Sequence, residues 1–203
     1  MEIAGNRVVI RSVEEQDQEM IRNLVADPEI VKVTGGYPPL TSCGHHVEWF
    51  RAMSGSAGNL YKIIADKENP RTALGIIILS HERSETGAAE LFIKLMRSVR
   101  GKGYGEDAVN TLVSYAFREQ GIRHIYSNIL EDNMASRRLF EKCRFRQEDI
   151  HKSNLYKNGS YRKVCRYVIN SEESKTLLQA TGHQACSAAK QWGIWSILRF
   201  GQY

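Results

Sequence analysis

This chain has little with which to staple itself covalently or through a metal. Its 203 residues include four cysteines, Cys43, Cys143, Cys165 and Cys186, and none stands in a Cys-x-x-Cys spacing. Neither a zinc site nor a disulfide framework is therefore suggested, and no metal is expected. Long apolar runs are missing too: the run after Gly75, Ile76-Ile77-Ile78-Leu79, ends after four residues, where a bilayer crossing needs about 20. The opening Met-Glu-Ile-Ala-Gly-Asn-Arg lacks the apolar stretch of a signal peptide. These absences lead to the expectation of a reducing, cytoplasmic setting without a membrane span. No run of four or more Lys/Arg occurs, although the formal net charge is +5 and the pI about 9.0. The basic excess reads as a solvated surface with some positive charge near an anionic ligand, and no nucleic-acid partner is expected.

What is present suits one globular domain, since the chain is 42% hydrophobic and 25% charged and long enough to bury a core. Val8-Val9-Ile10 reads as a first strand. A capping-box pattern at Ser12 to Glu15 then opens a helix carrying Met20, Ile21, Leu24 and Val25, which Asp27-Pro28 closes. Gly35-Gly36-Tyr37-Pro38-Pro39 is a loop, and Thr41 or Ser42 starts a second helix with Val47, Trp49, Phe50 and Met53. Strands over 61–65, 73–79 and 88–96 follow as a meander, the second buried on both faces. A helix over 106–120, a strand over 125–129 and a helix over 133–143 with Ala135, Leu139 and Phe140 inward come next. Phe145 begins a further strand, and 161–169 is the last. The order β, α, α, β, β, β, α, β, α, β, β predicts a mixed α/β (α+β) domain on a central sheet.

Chemistry enters at Arg100-Gly101-Lys102-Gly103-Tyr104-Gly105. The glycines permit positive φ and close approach of backbone amides to a ligand. They stand where a strand gives way to a helix, whose unpaired N–H groups and dipole favour an anion, and Arg100 and Lys102 add charge. This describes a diphosphate site. A dinucleotide-binding fold would place the turn after the first strand with an acidic residue on the next one, yet here it follows the fourth. A Walker P-loop needs Ser or Thr after its Gly-Lys, which Gly103 does not supply.

The spacing Arg100-x-x-Gly103-x-Gly105 resembles the Arg/Gln-x-x-Gly-x-Gly/Ala signature of the GNAT superfamily of N-acetyltransferases. The stretch from Asn133 through Ser136 and Phe140 to Phe145 is similar to that family's Asn-x-x-Ser/Ala…Leu-Tyr-Glu-Lys-x-Gly-Phe helix. Tyr156-Lys-Asn158-Gly159-Ser-Tyr161 resembles a late hairpin of RimJ/RimL-like and SpeG-like members. The resemblance covers residues 8–170. It implies a single GNAT-like domain (1–170) with a mostly antiparallel sheet, splayed between its fourth and fifth strands, and helices on both faces. It also implies acetyl-CoA as co-substrate and a primary amine as acceptor, attacked directly in a ternary complex. The acceptor classes are a polyamine, an amino sugar or a protein N-terminus.

Site residues carry over on the matching positions. Backbone groups at Leu95 and Met96 would bind the pantetheine arm, and one amide there would polarise the thioester carbonyl. Gly101, Lys102, Gly103, Tyr104 and Gly105, with Arg100, would hold the diphosphate. Asn133, Ser136 and Phe140 would face the cofactor from the second helix. Glu90, in an Ala-Glu-Leu context on the fourth strand, is the candidate base or substrate anchor, or else a structural carboxylate paired with a neighbouring arginine. His45, His46 and Glu48 are candidates for the acceptor cleft, with exposed helix positions the plainer reading of the histidines. Two positions depart from the pattern. Phe140 stands where many members have the tyrosine that protonates the departing thiolate, which leaves Tyr104 as the candidate acid, a water in its place, or a thiolate that departs unprotonated. Arg144 replaces the glycine before Phe145 and is strained if a positive φ is needed there. These departures also motivate the alternative of a catalytically silent acetyl-CoA-binding regulator. The extension 171–203 ends in an apolar stretch, with Trp192, Trp195 and Phe200, which is read as packing on the domain's own surface or as a homodimer contact.

Overall fold

A computed structural model describes residues 2–34, 52, 59–81, 87–157 and 160–172. The first strands, β1 (Ile3–Ala4) and β2 (Val8–Arg11), form a short hairpin. They lead through a 3-10 turn into α1 (Gln18–Ala26) and α2 (Pro28–Thr34). The meander comprises β3 (Leu60–Asp66), β4 (Ala73–His81) and β5 (Ala88–Leu95). Then come α3 (Tyr104–Glu119), β6 (His124–Leu130), α4 (Met134–Lys142), β7 (Arg146–Lys157) and β8 (Ser160–Asn170). One sheet holds the strands in the order β1-β2-β3-β4-β5-β6-β8-β7. Every pairing is antiparallel except β5 with β6. The fold class is thus the mixed α/β arrangement expected, with the unexpected β1 shifting the strand count by one.

Helices cover both faces because β4 is apolar on both. Ile77 and Leu79 lie under α3, whose Ala108, Val109, Leu112, Val113 and Ala116 form one buried stripe. The alternate residues Ile76 and Ile78 pack with Ile21 and Leu24 of α1 and Ile30 of α2. Tyr167 of β8 is fully buried, and its hydroxyl donates to Glu141 at 2.9 Å and accepts from Arg137 Nε at 3.0 Å, tying α4 to the sheet.

Three local expectations are corrected. The start of α1 is organised by Asp17 rather than by a box from Ser12 to Glu15. The Asp17 carboxylate accepts the Glu14 N–H at 2.8 Å and both Arg11 terminal nitrogens at 2.7 Å. With Arg11 and Asp17 side chains only 4% and 1% exposed, the buried cation needs that acceptor, and the hydrogen bond to Asp17 raises the Arg11 pKa. Ser12 instead accepts from Arg11 Nη1 at its carbonyl and from Lys62 Nζ at its hydroxyl oxygen. Second, Asp27-Pro28 closes α1 but also opens α2. Asp27 accepts the Glu29 N–H at 2.8 Å as a cap, and proline at the first helical position has no N–H to leave unpaired. Third, Phe145 lies just before β7, buried against Phe140 in an edge-on ring contact with centroids 4.9 Å apart. The helix expected from 41 or 42, with His45, His46 and Glu48, lies outside the described residues apart from Ala52, which is helical. The tail beyond Glu172 lies outside them too, as does the tip of the hairpin whose strands pair Tyr156 with Tyr161.

Candidate active site

Pairing between β5 and β6 stops almost as soon as it starts. Ala88, Ala89 and Glu90 match His124, Ile125 and Tyr126, and beyond that point the strands part while β5 continues to Leu95 and β6 to Leu130. A wedge opens where β5 runs free of β6, and a cavity of about 630 Å³ lies along its β5 side. Ile93, Lys94 and Leu95 line one side, Asn133, Ala135, Ser136 and Leu139 of α4 the other, and Gly101, Gly103 and Gly105 one end.

The β5 wall offers main chain. The Met96 N–H bonds the Leu74 carbonyl at 2.9 Å, so Gly75 and Leu95 form a non-hydrogen-bonded pair in the ladder. By the antiparallel alternation, the N–H and C=O of Leu95, and those of Ile93 two residues earlier, point away from β4 into the wedge. Of the expected pair, Leu95 thus faces the cavity, whereas Met96 spends its amide on β4. Ile93 was missed, although strand alternation alone would have named it.

The glycine turn is built as its sequence demands. Gly101 and Gly103 have φ of 74° and 85°, a region that side chains with a Cβ disfavour. Gly105 lies outside the positive-φ region but has little room: a Cβ there would stand 3.1 Å from Leu95 Cδ1 and 3.4 Å from Leu139 Cδ2. Two residues that sequence reasoning did not single out hold the turn in place. Asp107, in the first turn of α3, accepts the N–H groups of Asn6, Arg7 and Val8 at 3.1, 2.7 and 3.0 Å. Arg7 returns the contact, donating to the Lys102 carbonyl at 2.6 Å.

All three side-chain nitrogens of Arg100 are engaged beside that turn. Its Nε donates to the Leu95 carbonyl at 3.0 Å, and its terminal nitrogens to Glu29 and Asp27 at 2.7 Å each. Burial pushes the Asp27 carboxyl up, but the Glu29 N–H and Arg100 outweigh it and hold it below its ordinary value. Arg100 therefore lines the cavity as a clasp on the α1–α2 junction. Lys102 is exposed, with its carbonyl rather than its ammonium engaged.

On α4, Asn133 caps the helix by accepting the Ser136 N–H at 3.2 Å. Ala135, expected inward, is exposed toward the cavity, because the helix turns its Phe140 face to the core. Phe140 itself is 2% exposed and is not part of the cavity wall. Tyr104, expected there as an acid, points the other way: its hydroxyl is 3.4 Å from Asp66 and Arg7 lies over its ring. Arg138 and Lys142 do reach the cavity; their i, i+4 spacing on the Asn133 helix was the signal for them. Cys143, beneath, is buried, and burial pushes its thiol up to about 12. Arg144 adopts φ 67°, so the strain expected at the replaced glycine is present.

At the closed end of the wedge, the sheet face toward α1 carries polar side chains. Glu90 accepts from Asn128 Nδ2 at 2.9 Å, Asn128 Oδ1 accepts from Arg166 Nε at 3.2 Å, and the Arg166 guanidinium lies 4.5 Å from the Tyr126 ring centre. No group of three or more metal-binding side chains occurs among the described residues, and none of their helices is long and apolar enough to cross a membrane.

A strand pair that parts beside a positive-φ glycine turn sets main-chain groups and a helix start around one cavity, and comparison with known proteins gives the family. Residues 7–146 match the acetyltransferase (GNAT) domain. The chain belongs to this family and is an N-acetyltransferase. It is 22% identical over 157 residues to the uncharacterized N-acetyltransferase YoaA of Bacillus subtilis (strain 168), covering 76% of this chain and 88% of that one. The crystal structure of a GNAT-family acetyltransferase from Bacillus anthracis superposes with a TM-score of 0.72 at 21% identity, over 85% of this chain and 99% of the other. Spermidine N-acetyltransferase from Vibrio cholerae, solved with CoA and spermine, gives 0.70 at 22% identity, over 82% and 96%.

Proposed function

We propose that this chain moves the acetyl group of acetyl-CoA to a primary amine by direct attack, within a ternary complex formed across the β5–β6 wedge. The observation that carries this reading is the parting of the two strands immediately after Glu90 and Tyr126, with the glycine turn at the far end of the cavity. Bound there, acetyl-CoA supplies an activated thioester. Amides of the turn and the start of α3 hold its diphosphate, while Arg138 and Lys142 add positive charge on α4. Main-chain groups of Ile93 and Leu95 align the pantetheine arm as a neighbouring strand would, and an N–H of this wall polarises the carbonyl. Asn133 and Ser136 close the other side.

Only a neutral amine is a nucleophile, so its proton must leave. Glu90 takes it from the sheet face toward α1. No tyrosine lines the cavity among the described residues, and a thiol of ordinary acidity, near about 8.5, leaves as thiolate without one. The carboxylate that the described part of this sheet face presents is Glu90, linked through Asn128 to Arg166; an amino sugar or a peptide N-terminus suits it better than a polyamine, which would call for several carboxylates.

The test is release of free thiol from acetyl-CoA by the purified protein with glucosamine, N-terminal peptides and spermidine in parallel. Turnover with one of the first two is expected. Binding of acetyl-CoA without turnover on any amine would instead support a silent regulator, and absence of binding would remove the reading altogether.

A further inference from the structure

Glu90, Asn128 and Arg166 come from three neighbouring strands and form a chain of hydrogen bonds across the sheet. Asn128 and Arg166 are directly opposite in the β6–β8 register, and Glu90 sits at the last matched position of β5 and β6. We infer that Asn128 is a positioning residue for Glu90, itself oriented by Arg166; the inference rests on the reading of Glu90 as the base.

The argument turns on donors and acceptors. Arginine has only donors, so the contact of Arg166 Nε with Asn128 identifies the amide atom facing it as oxygen. The amide nitrogen then faces Glu90 Oε1. The guanidinium is in turn held against the Tyr126 ring by cation–π attraction. This arrangement aims the carboxylate and favours its charged form, which a base needs. Asn128 thus stands as a neutral spacer between the Glu90 carboxylate and the Arg166 guanidinium. Asn128 bonds Glu90 directly, Tyr126 and Ser80 are its register partners on β6 and β4, and Arg166 stands behind Asn128. Asn128 is exposed on the sheet face, so shortening it leaves the core intact.

The test follows the Glu90 carboxyl by ¹³C NMR in glutamate-labelled protein saturated with acetyl-CoA, its signal assigned by its loss in Glu90→Gln. In Asn128→Ala the titration midpoint is expected to rise by about one pH unit, tenfold in ionisation constant, for loss of a charge-assisted bond. Arg166→Lys keeps the charge but not the planar fork, and a smaller rise is expected. An unchanged midpoint in Asn128→Ala overturns the inference. Failure of the underlying reading looks different: Glu90→Gln would then release thiol from acetyl-CoA as fast as the unaltered protein, whatever the midpoint in Asn128→Ala.

Discussion

The wedge and the sheet face at its closed end are made of different material. The wedge is walled on one side by main chain: β5 amides, a turn of glycines, and a helix start, with Arg100 turned aside to Asp27 and Glu29. The sheet face is made of side chains, Glu90, Tyr126, Asn128 and Arg166, delivered by strands far apart in sequence. Main chain is the same in every residue, so the first region depends on conformation and on the absence of a Cβ. The second depends on chemical identity. Donor binding and acceptor activation should therefore fail independently.

The largest effect expected on that separation comes from Glu90→Gln. Turnover should fall by about 100-fold or more, the usual scale of a lost general base, while calorimetry shows acetyl-CoA affinity unchanged. Loss of both together would break the distinction between the regions. A smaller effect is expected from Phe140→Tyr. The new hydroxyl would lie in the core against Phe145, costing about 1–3 kcal/mol as an unsatisfied buried group. Denaturant unfolding should show this cost, and a rise in thiol release would contradict the placement of that ring outside the cavity. Smallest is Arg144→Gly. It relieves a left-handed residue, worth about 1–2 kcal/mol, against the entropy glycine loses on folding. Unfolding should report a gain of up to about 1 kcal/mol, with catalysis unaltered.

The same contrast explains what could be read in advance. The glycine turn, α3 and the helix from Asn133 were legible because backbone geometry leaves narrow sequence choices at those positions, and Arg144 was flagged for the same reason. The role of Met96 was misjudged because which residue faces the wedge depends on ladder phase, set by the bond to Leu74. Helix α2 went unread because a proline that ends one helix can begin the next. The contacts of Arg100 and the Asn128–Arg166 pair were invisible, since their partners lie 71 and 38 positions away and no local pattern marks them.

The central claim is that the glycine turn binds the acyl donor through its backbone. Calorimetric titration of acetyl-CoA into the unaltered protein and into Gly103→Val tests it most directly. Valine would have to adopt φ 85° with its Cβ 2.9 Å from Arg7 Nη1. Saturable binding to the unaltered protein, and none to a variant with native circular dichroism, is the result expected. Equal affinity in a folded variant would contradict the account.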